Sequence, residues 1–395
     1  MQESAEKATG TRYASAFSDE SDTQTAAESI CAQLTETLSE GLDVIILFAS
    51  SFHDYSKLLK TIWEGCKPGA IVGCSSAGEF TSTESGTGAV SAMGICSNEM
   101  TFRISVGHQL DQDRDAAARE IVSGLSDHDP HPYKTLMVFA DALAGHTDEL
   151  IDSITRLTGA RYQIVGGGAG DDAKFTRTHV FANDQAYTSA AVALELCSDR
   201  PVGIGVRHGW EPATEPMRVT EAAGMRLISI NATSPLEVFQ EHAEQTGQHL
   251  DVKDPVPFFL HNTIGIVVGQ EYKLRVPLQI LEDGSFACAS DIPVGSAICI
   301  MKTSQGNAKE AASDAVSSAL LQLKGHQPKA AIFFDCVATR LRLAAGFTDE
   351  IQGVYRALGE QVELVGCNTY GQIARVEGQF SGFHNCTAVV CVLPE

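Results

Sequence analysis

Three stretches of the chain repeat one short phrase: AIVGCSSAGEF at Ala70–Phe80, QIVGGGAGDDA at Gln163–Ala173 and ELVGCNTYGQI at Glu363–Ile373. Each has aliphatic residues, a glycine, small or polar residues and a further glycine shortly after. A buried-strand pattern precedes each one, VIILFAS from Val44, TLMVFAD from Thr135 and AAIFFDC from Ala330, with a helix-length segment between. Another apolar run follows each, from Gly88, Ser189 and Cys386. A strand–helix–strand–turn–strand unit written three times constrains the architecture more than any single motif. Parallel pairing is expected where a helix joins two strands, and antiparallel pairing at the short turns. The expected fold is therefore α/β, in two domains built from repeated β-α-β-β units with additional antiparallel hairpins.

A chain of 395 residues is long for one hydrophobic core. Residues 1–25, rich in Ser, Thr, Glu and Ala, read as a disordered tail. Residues 26–231 hold two repeat modules. Residues 232–395 hold hairpins followed by the third module. Within the modules, DYSKLLKTIWEGC places Leu58, Leu59, Ile62 and Trp63 on one helical face, and HTDELIDSITRLTG does the same with Leu150, Ile151, Ile154 and Leu157.

The net charge of −22 argues against partners that are themselves polyanions. Counterion release needs a positive surface, so no nucleic acid is expected, and an anionic membrane would repel the chain. No apolar run approaches the ~20 residues that cross a bilayer. Eleven cysteines without a CxxC pair or zinc spacing fit a reduced, cytoplasmic protein.

Glycines after a strand admit unusual backbone angles and let N–H groups converge on an anionic ligand. The same glycines also suit a tight turn copied by duplication. The candidate ligand contacts on this pattern are Gly73, Ser75 and Ser76, then Gly166, Gly167, Gly168 and Asp171, then Gly366, Asn368 and Thr369. A dinucleotide fingerprint is absent, because Asp171 stands where its third glycine belongs. A nucleophile elbow fails too, its last glycine being displaced to Gly78.

Taken together, GCSSAGEF, IVGGGAGDD, HGWEPATEPMRVTEAAG at His208–Gly224, SPLEVFQEH at Ser234–His242, FFDCVATR at Phe333–Arg340, GCNTYGQI and FHNCTAVV resemble the FIST sensory domain family, N-terminal and C-terminal regions both. The order and spacing of the pieces carry the resemblance. Gln372 departs from it where an acidic residue is usual, and Ala338 where a glycine is. The resemblance implies a non-catalytic sensor that binds a small ligand and reports to a signalling partner. It is similar to a stand-alone branch that binds haem, responds to nitric oxide and regulates a histidine kinase or a cyclic-di-GMP enzyme. Haem would need an axial imidazole, and His208, His261 and His384 are the candidates, one of them at most. Two alternatives stand beside this reading. One is a metal-free sensor of an amino acid or organic acid. The other is an enzyme acting through Ser75 or Cys336. Cys336 matches a family cysteine and is also a candidate ligand contact through its thiolate; the plainer reading is a small buried strand residue.

Overall fold

The computed structural model describes residues 10–39, 41–376 and 382–395. Three parallel strand pairs form its frame: Val44–Ser50 with Ala70–Ser76, Tyr133–Ala140 with Gln163–Gly168, and Pro328–Cys336 with Glu363–Thr369. A helix connects each pair, as parallel strands require. Tyr55–Cys66 is capped by Asp54, whose carboxylate accepts from Lys57 N, and buries Leu58, Leu59 and Ile62. Thr147–Leu157 buries Leu150, Ile151 and Ile154. Leu157, expected on the same face, is 42 % exposed because the helix ends there.

On one side of each pair the module's last strand, Val90–Ser97, Ala191–Ser198 or Ala388–Pro394, runs antiparallel and carries an edge strand outside it. Those edge strands are Thr11–Ser18, Met100–Gly107 and Gly203–Arg207. The first lies in the segment read as a tail. Residues 10–25 instead form this strand and the start of the helix Thr23–Thr37. Tyr13, Ala14, Ala16 and Phe17 bury their side chains there, and Tyr13 Oη donates to Pro394 O at 2.8 Å. Residues 1–9 of the expected tail lie outside the described residues.

The other side of each pair is completed by a neighbour. After Ala70–Ser76 the chain leaves its own sheet, and the hairpin Glu79–Thr81/Ser85–Gly86 pairs with Glu363–Thr369 of the third module. The hairpin Gln372–Arg375/Gly382–His384 of the third module pairs with Gln163–Gly168 of the second. The second module's hairpin, Val180–Ala182/Gln185–Tyr187, pairs with Ala70–Ser76 of the first. Three sheets therefore exchange hairpins in a closed cycle. At its centre Phe48, Phe139 and Phe334, equivalent by register, bring their rings within 5.8, 5.9 and 6.1 Å of one another.

The third module is interrupted. Between Gly203–Arg207 and the helix Gln305–Gln322 lies an antiparallel sheet with the helices Pro235–Thr246 and Val256–Phe259, packed on Phe239, Phe258, Phe259 and Phe286. Ser234 caps the first of these helices and Pro235 opens it, the favoured start. The division expected at residue 231 falls inside this sheet, where Met217–Ala223 pairs with Ala297–Thr303. The architecture is thus α/β, with repeated β-α-β-β units and added antiparallel hairpins.

Candidate functional site

The three glycine phrases meet where the hairpins cross over. Ala77 N donates to Asn368 O at 2.8 Å and Asn368 N to Gly78 O at 2.8 Å, tying the first module to the third. Gly170 N and Asp172 N donate to Ser75 O and Ser76 O, and Tyr370 N and Gly168 N close the knot with Gly168 O and Gly371 O. The backbone donors expected to face a ligand are spent on one another. Gly73, Gly166 and Gly366 lie inside strands, opposite Leu47, Val138 and Phe333. A Cβ at Gly73 would stand 1.8 Å from Leu47 O and one at Gly166 1.9 Å from Val138 O; at Gly366 it would meet the Phe80 ring at 2.2 Å. These glycines admit the neighbouring strand and hairpin. Gly167 and Gly168 are likewise packed, against Thr369 and against Ala142 with Phe383.

Beside this knot opens a cleft of about 560 Å³, lined in part by Ser50, Phe52, Asp172, Lys174 and Arg340. Its volume falls in the range of small-molecule sites. Asp172 sits in a left-handed conformation, φ 55°, which turns its side chain back to the first module. Its Oδ2 accepts from Ser50 Oγ and Ser51 N, both at 2.9 Å, and from Ser51 Oγ. Lys174 Nζ stands 3.6 Å from the same oxygen and donates to Ser51 Oγ at 2.8 Å. Oδ1 of Asp172 is shielded from water and has no hydrogen-bond partner among the described residues. A desolvated carboxylate oxygen left unpaired is costly unless a donor reaches it.

Across the cleft, Arg340 projects from the helix Val337–Leu343 that follows Cys336. Its Nη1 donates to Asn368 Oδ1 and its Nη2 to Gly86 O, both at 2.9 Å, and its guanidinium lies 5.3 Å from the Phe347 ring centre. Behind it Glu79 is fully buried. Ser76 Oγ donates to Glu79 Oε1 at 2.5 Å and Ala89 N to Oε2 at 3.1 Å. Burial pushes the Glu79 carboxyl up to about 8; Asp172 adds to the rise, and the two hydrogen bonds and Arg340 oppose it.

None of the ligand contacts expected from the sequence lines this cleft. Ser76 and Asn368 stand behind it, holding Glu79 and Arg340. Ser75 Oγ accepts from His179 N at 2.9 Å and so meets a backbone, not an imidazole. Thr369 Oγ1 donates to Asp335 O at 3.2 Å. Asp171 accepts from the N–H groups of Phe175, Thr176 and Arg177 and from Tyr370 Oη, which fixes the loop that presents Asp172. Cys336 is 3 % exposed. A hydrogen bond from the Cys386 thiol draws it down to about 7 against burial, yet a buried thiol offers no approach to a substrate. Arg340 and Glu79 are residues that sequence reasoning did not assign to the site, although both sit in phrases already singled out.

The three candidate axial histidines are distributed over separate parts of the fold. His208 Nε2 bonds to Tyr272 O at 3.0 Å and its Nδ1 accepts from Trp210 N at 3.3 Å, so both ring nitrogens are engaged. His261 is exposed, on the turn after Val256–Phe259, and burial with Arg342 lowers its pKa. His384 is buried in its strand, and burial holds its pKa down at about 3. The three come from separate elements, and none lines the cleft.

The FIST N domain family model matches residues 43–233, and the FIST C domain model matches residues 235–375. The chain belongs to the FIST domain family. FIST domains are small-ligand sensor domains of signal transduction. No curated protein matches this FIST chain. Among solved structures it is similar to PurLQS from Thermotoga maritima, at 9% identity and a TM-score of 0.23, over 97% of this chain and 73% of that one. It is also similar to phosphoribosylformylglycinamidine synthase II from Thermotoga maritima, at 10% identity and a TM-score of 0.22, over 97% and 72%. Likenesses at that level carry no argument about fold or function. No helix among the described residues is long and apolar enough to cross a membrane.

Proposed function

We propose that this FIST protein is a non-catalytic sensor whose cleft takes a small zwitterion of the amino-acid type. The observation that carries the reading is the partnerless, desolvated Oδ1 of Asp172, within electrostatic range of the Arg340 guanidinium. An ammonium group reaches that shielded oxygen through a shift of the Asp172 side chain, and a carboxylate on the same ligand faces Arg340 and Lys174. Because Asp172 belongs to the second module, Arg340 to the third and Ser50 to the first, occupancy bears on how all three sit together. A signalling partner such as a histidine kinase or a cyclic-di-GMP enzyme would read that difference, which requires the ligand to favour one arrangement over another.

The test is a thermal-shift and calorimetry screen of free amino acids and organic acids. Saturable binding of an amino acid, lost in both Asp172→Asn and Arg340→Gln, is expected. Binding of organic acids lacking an amine with equal strength would remove the role given to Asp172. The haem reading, which rests on resemblance, is read separately from an absorption spectrum after haem is supplied. A stoichiometric Soret band that moves with nitric oxide and disappears in His208→Ala, His261→Ala or His384→Ala would replace the zwitterion reading.

A further inference from the structure

A second cleft, of about 670 Å³, lies away from the first, at the N-terminal ends of the second module's parallel strands. Tyr133 and Lys134 begin one strand there, and Arg161 precedes the other. Arg207 ends an edge strand, Lys324 follows the helix Gln305–Gln322, and Arg375 ends a hairpin strand. Among the described residues, five cations from five segments line the cleft and no carboxylate does. In a chain with 50 acidic and 28 basic residues, that is the reverse of what the composition supplies.

Among the described residues, no carboxylate neutralises these cations. Arg161 Nε donates to Thr158 O at 2.9 Å, Arg207 Nη1 to Val206 O at 2.7 Å, Arg375 Nη1 to Tyr162 O at 3.0 Å and Lys324 Nζ to Tyr133 Oη at 3.1 Å. Every one of these acceptors is uncharged. Lys134 makes no side-chain hydrogen bond or ion pair among the described residues, and no residue of the five meets a carboxylate there. Two of the five have an ordinary explanation, since Lys324 and Arg161 each complement the C-terminal end of a helix, Arg161 by donating to the C-cap carbonyl of Thr158. Helix polarity does not account for the other three. Like charges gathered in a concave site repel one another and concentrate anions.

We propose that this cleft binds a small molecule carrying a diphosphate-type group. A single phosphate engages fewer of the five cations than a linked pair does, and guanidinium forks match phosphate oxygens. The overall charge of −22 repels long polyanions, so the occupant is a small molecule and not a nucleic acid. The proposal is independent of the zwitterion cleft, whose lining shares no residue with it.

Inorganic pyrophosphate is the probe, titrated calorimetrically into the full chain at low ionic strength. Saturable 1:1 binding is expected, tighter than for inorganic phosphate and weakened by added salt. Lys134→Gln removes no side-chain bond among the described residues, so it tests the cleft without disturbing the fold. Together with Arg161→Gln it should weaken pyrophosphate at least about tenfold, the effect of losing charge-assisted contacts worth ~1.4 kcal/mol in sum. Arg340→Gln, in the other cleft, should leave pyrophosphate binding unchanged. The proposal is overturned by absence of saturation at millimolar pyrophosphate, by equal affinity for phosphate and pyrophosphate, or by full binding in the Lys134→Gln/Arg161→Gln variant.

Discussion

Glu79 is a carboxylic acid kept from water by the hairpin that carries it into a neighbouring sheet. Its folded pKa of about 8 lies above the ordinary carboxyl value of about 4.3. Between those values the folded protein holds a proton that the unfolded chain has released. Stability therefore falls as pH rises through that window, and the loss is complete above the folded pKa. Asp172 and Arg340 are the charged groups facing it, and Ser76 and Ala89 its hydrogen-bond donors. Glu79→Gln should match the wild type near pH 5 and exceed it by a few kcal/mol near pH 9, on the scale of ~1.4 kcal/mol per pKa unit. Melting curves across that range check this; parallel profiles for the two proteins would sink it. Gly73 makes the opposite case, a residue with no chemistry of its own. A methyl group there collides with Leu47 O at 1.8 Å with φ at 154°, so Gly73→Ala should cost at least about 3 kcal/mol in urea unfolding.

At the scale of elements, the helix Thr147–Leu157 holds the inserted sheet to the three-module body. Asp148 in its first turn accepts from Lys273 Nζ at 2.6 Å and Arg275 Nη2 at 2.7 Å, both on the strand Glu271–Arg275, and from Phe383 N at 2.7 Å. Burial alone would raise the Asp148 carboxyl; Arg275 and Lys273 outweigh it and hold the pKa below the usual range. The Arg275 side chain is 3 % exposed, and Asp148, with a smaller share from Asp291, offsets its buried charge. Asp148→Asn should cost about 3 kcal/mol, because removing one member of a buried pair strands the other. Denaturant midpoints measure the loss, and a change under half of this would mean that the carbonyls around Arg275 suffice.

At the scale of the molecule, the cyclic hairpin exchange ties the stability of each module to the other two. None of the three module sheets is complete without a strand pair from its neighbour, and the Phe48, Phe139 and Phe334 rings meet where the three modules join. The strands Val44–Ser50, Tyr133–Ala140 and Pro328–Cys336 should therefore share one opening free energy in native-state hydrogen exchange. A module that exchanges through its own lower-energy opening would contradict that coupling. The same exchange places Ser50, Asp172 and Arg340 around one cleft, although each comes from a different module.

The repeats, the parallel pairs and the helices between them were legible in the chain itself, because strand burial and helical periodicity are local patterns. The helix starts at Asp54 and Ser234 were equally local. The edge strand at Thr11–Ser18 was hidden by a polar composition in which only Tyr13, Ala14, Ala16 and Phe17 carry the apolar signal. The destination of each hairpin was not legible at all: a strand as short as Glu79–Thr81 says nothing about which sheet it will join. The clefts follow from those destinations. Asp171 and Asp172 are neighbours of one type, and only the fold decides that the first closes a loop while the second keeps a bare oxygen. By itself the sequence determined a threefold-repeated α/β chain of the FIST kind. Tertiary structure alone decided which charges meet, since electrostatic partners are set by distance in space and not along the chain.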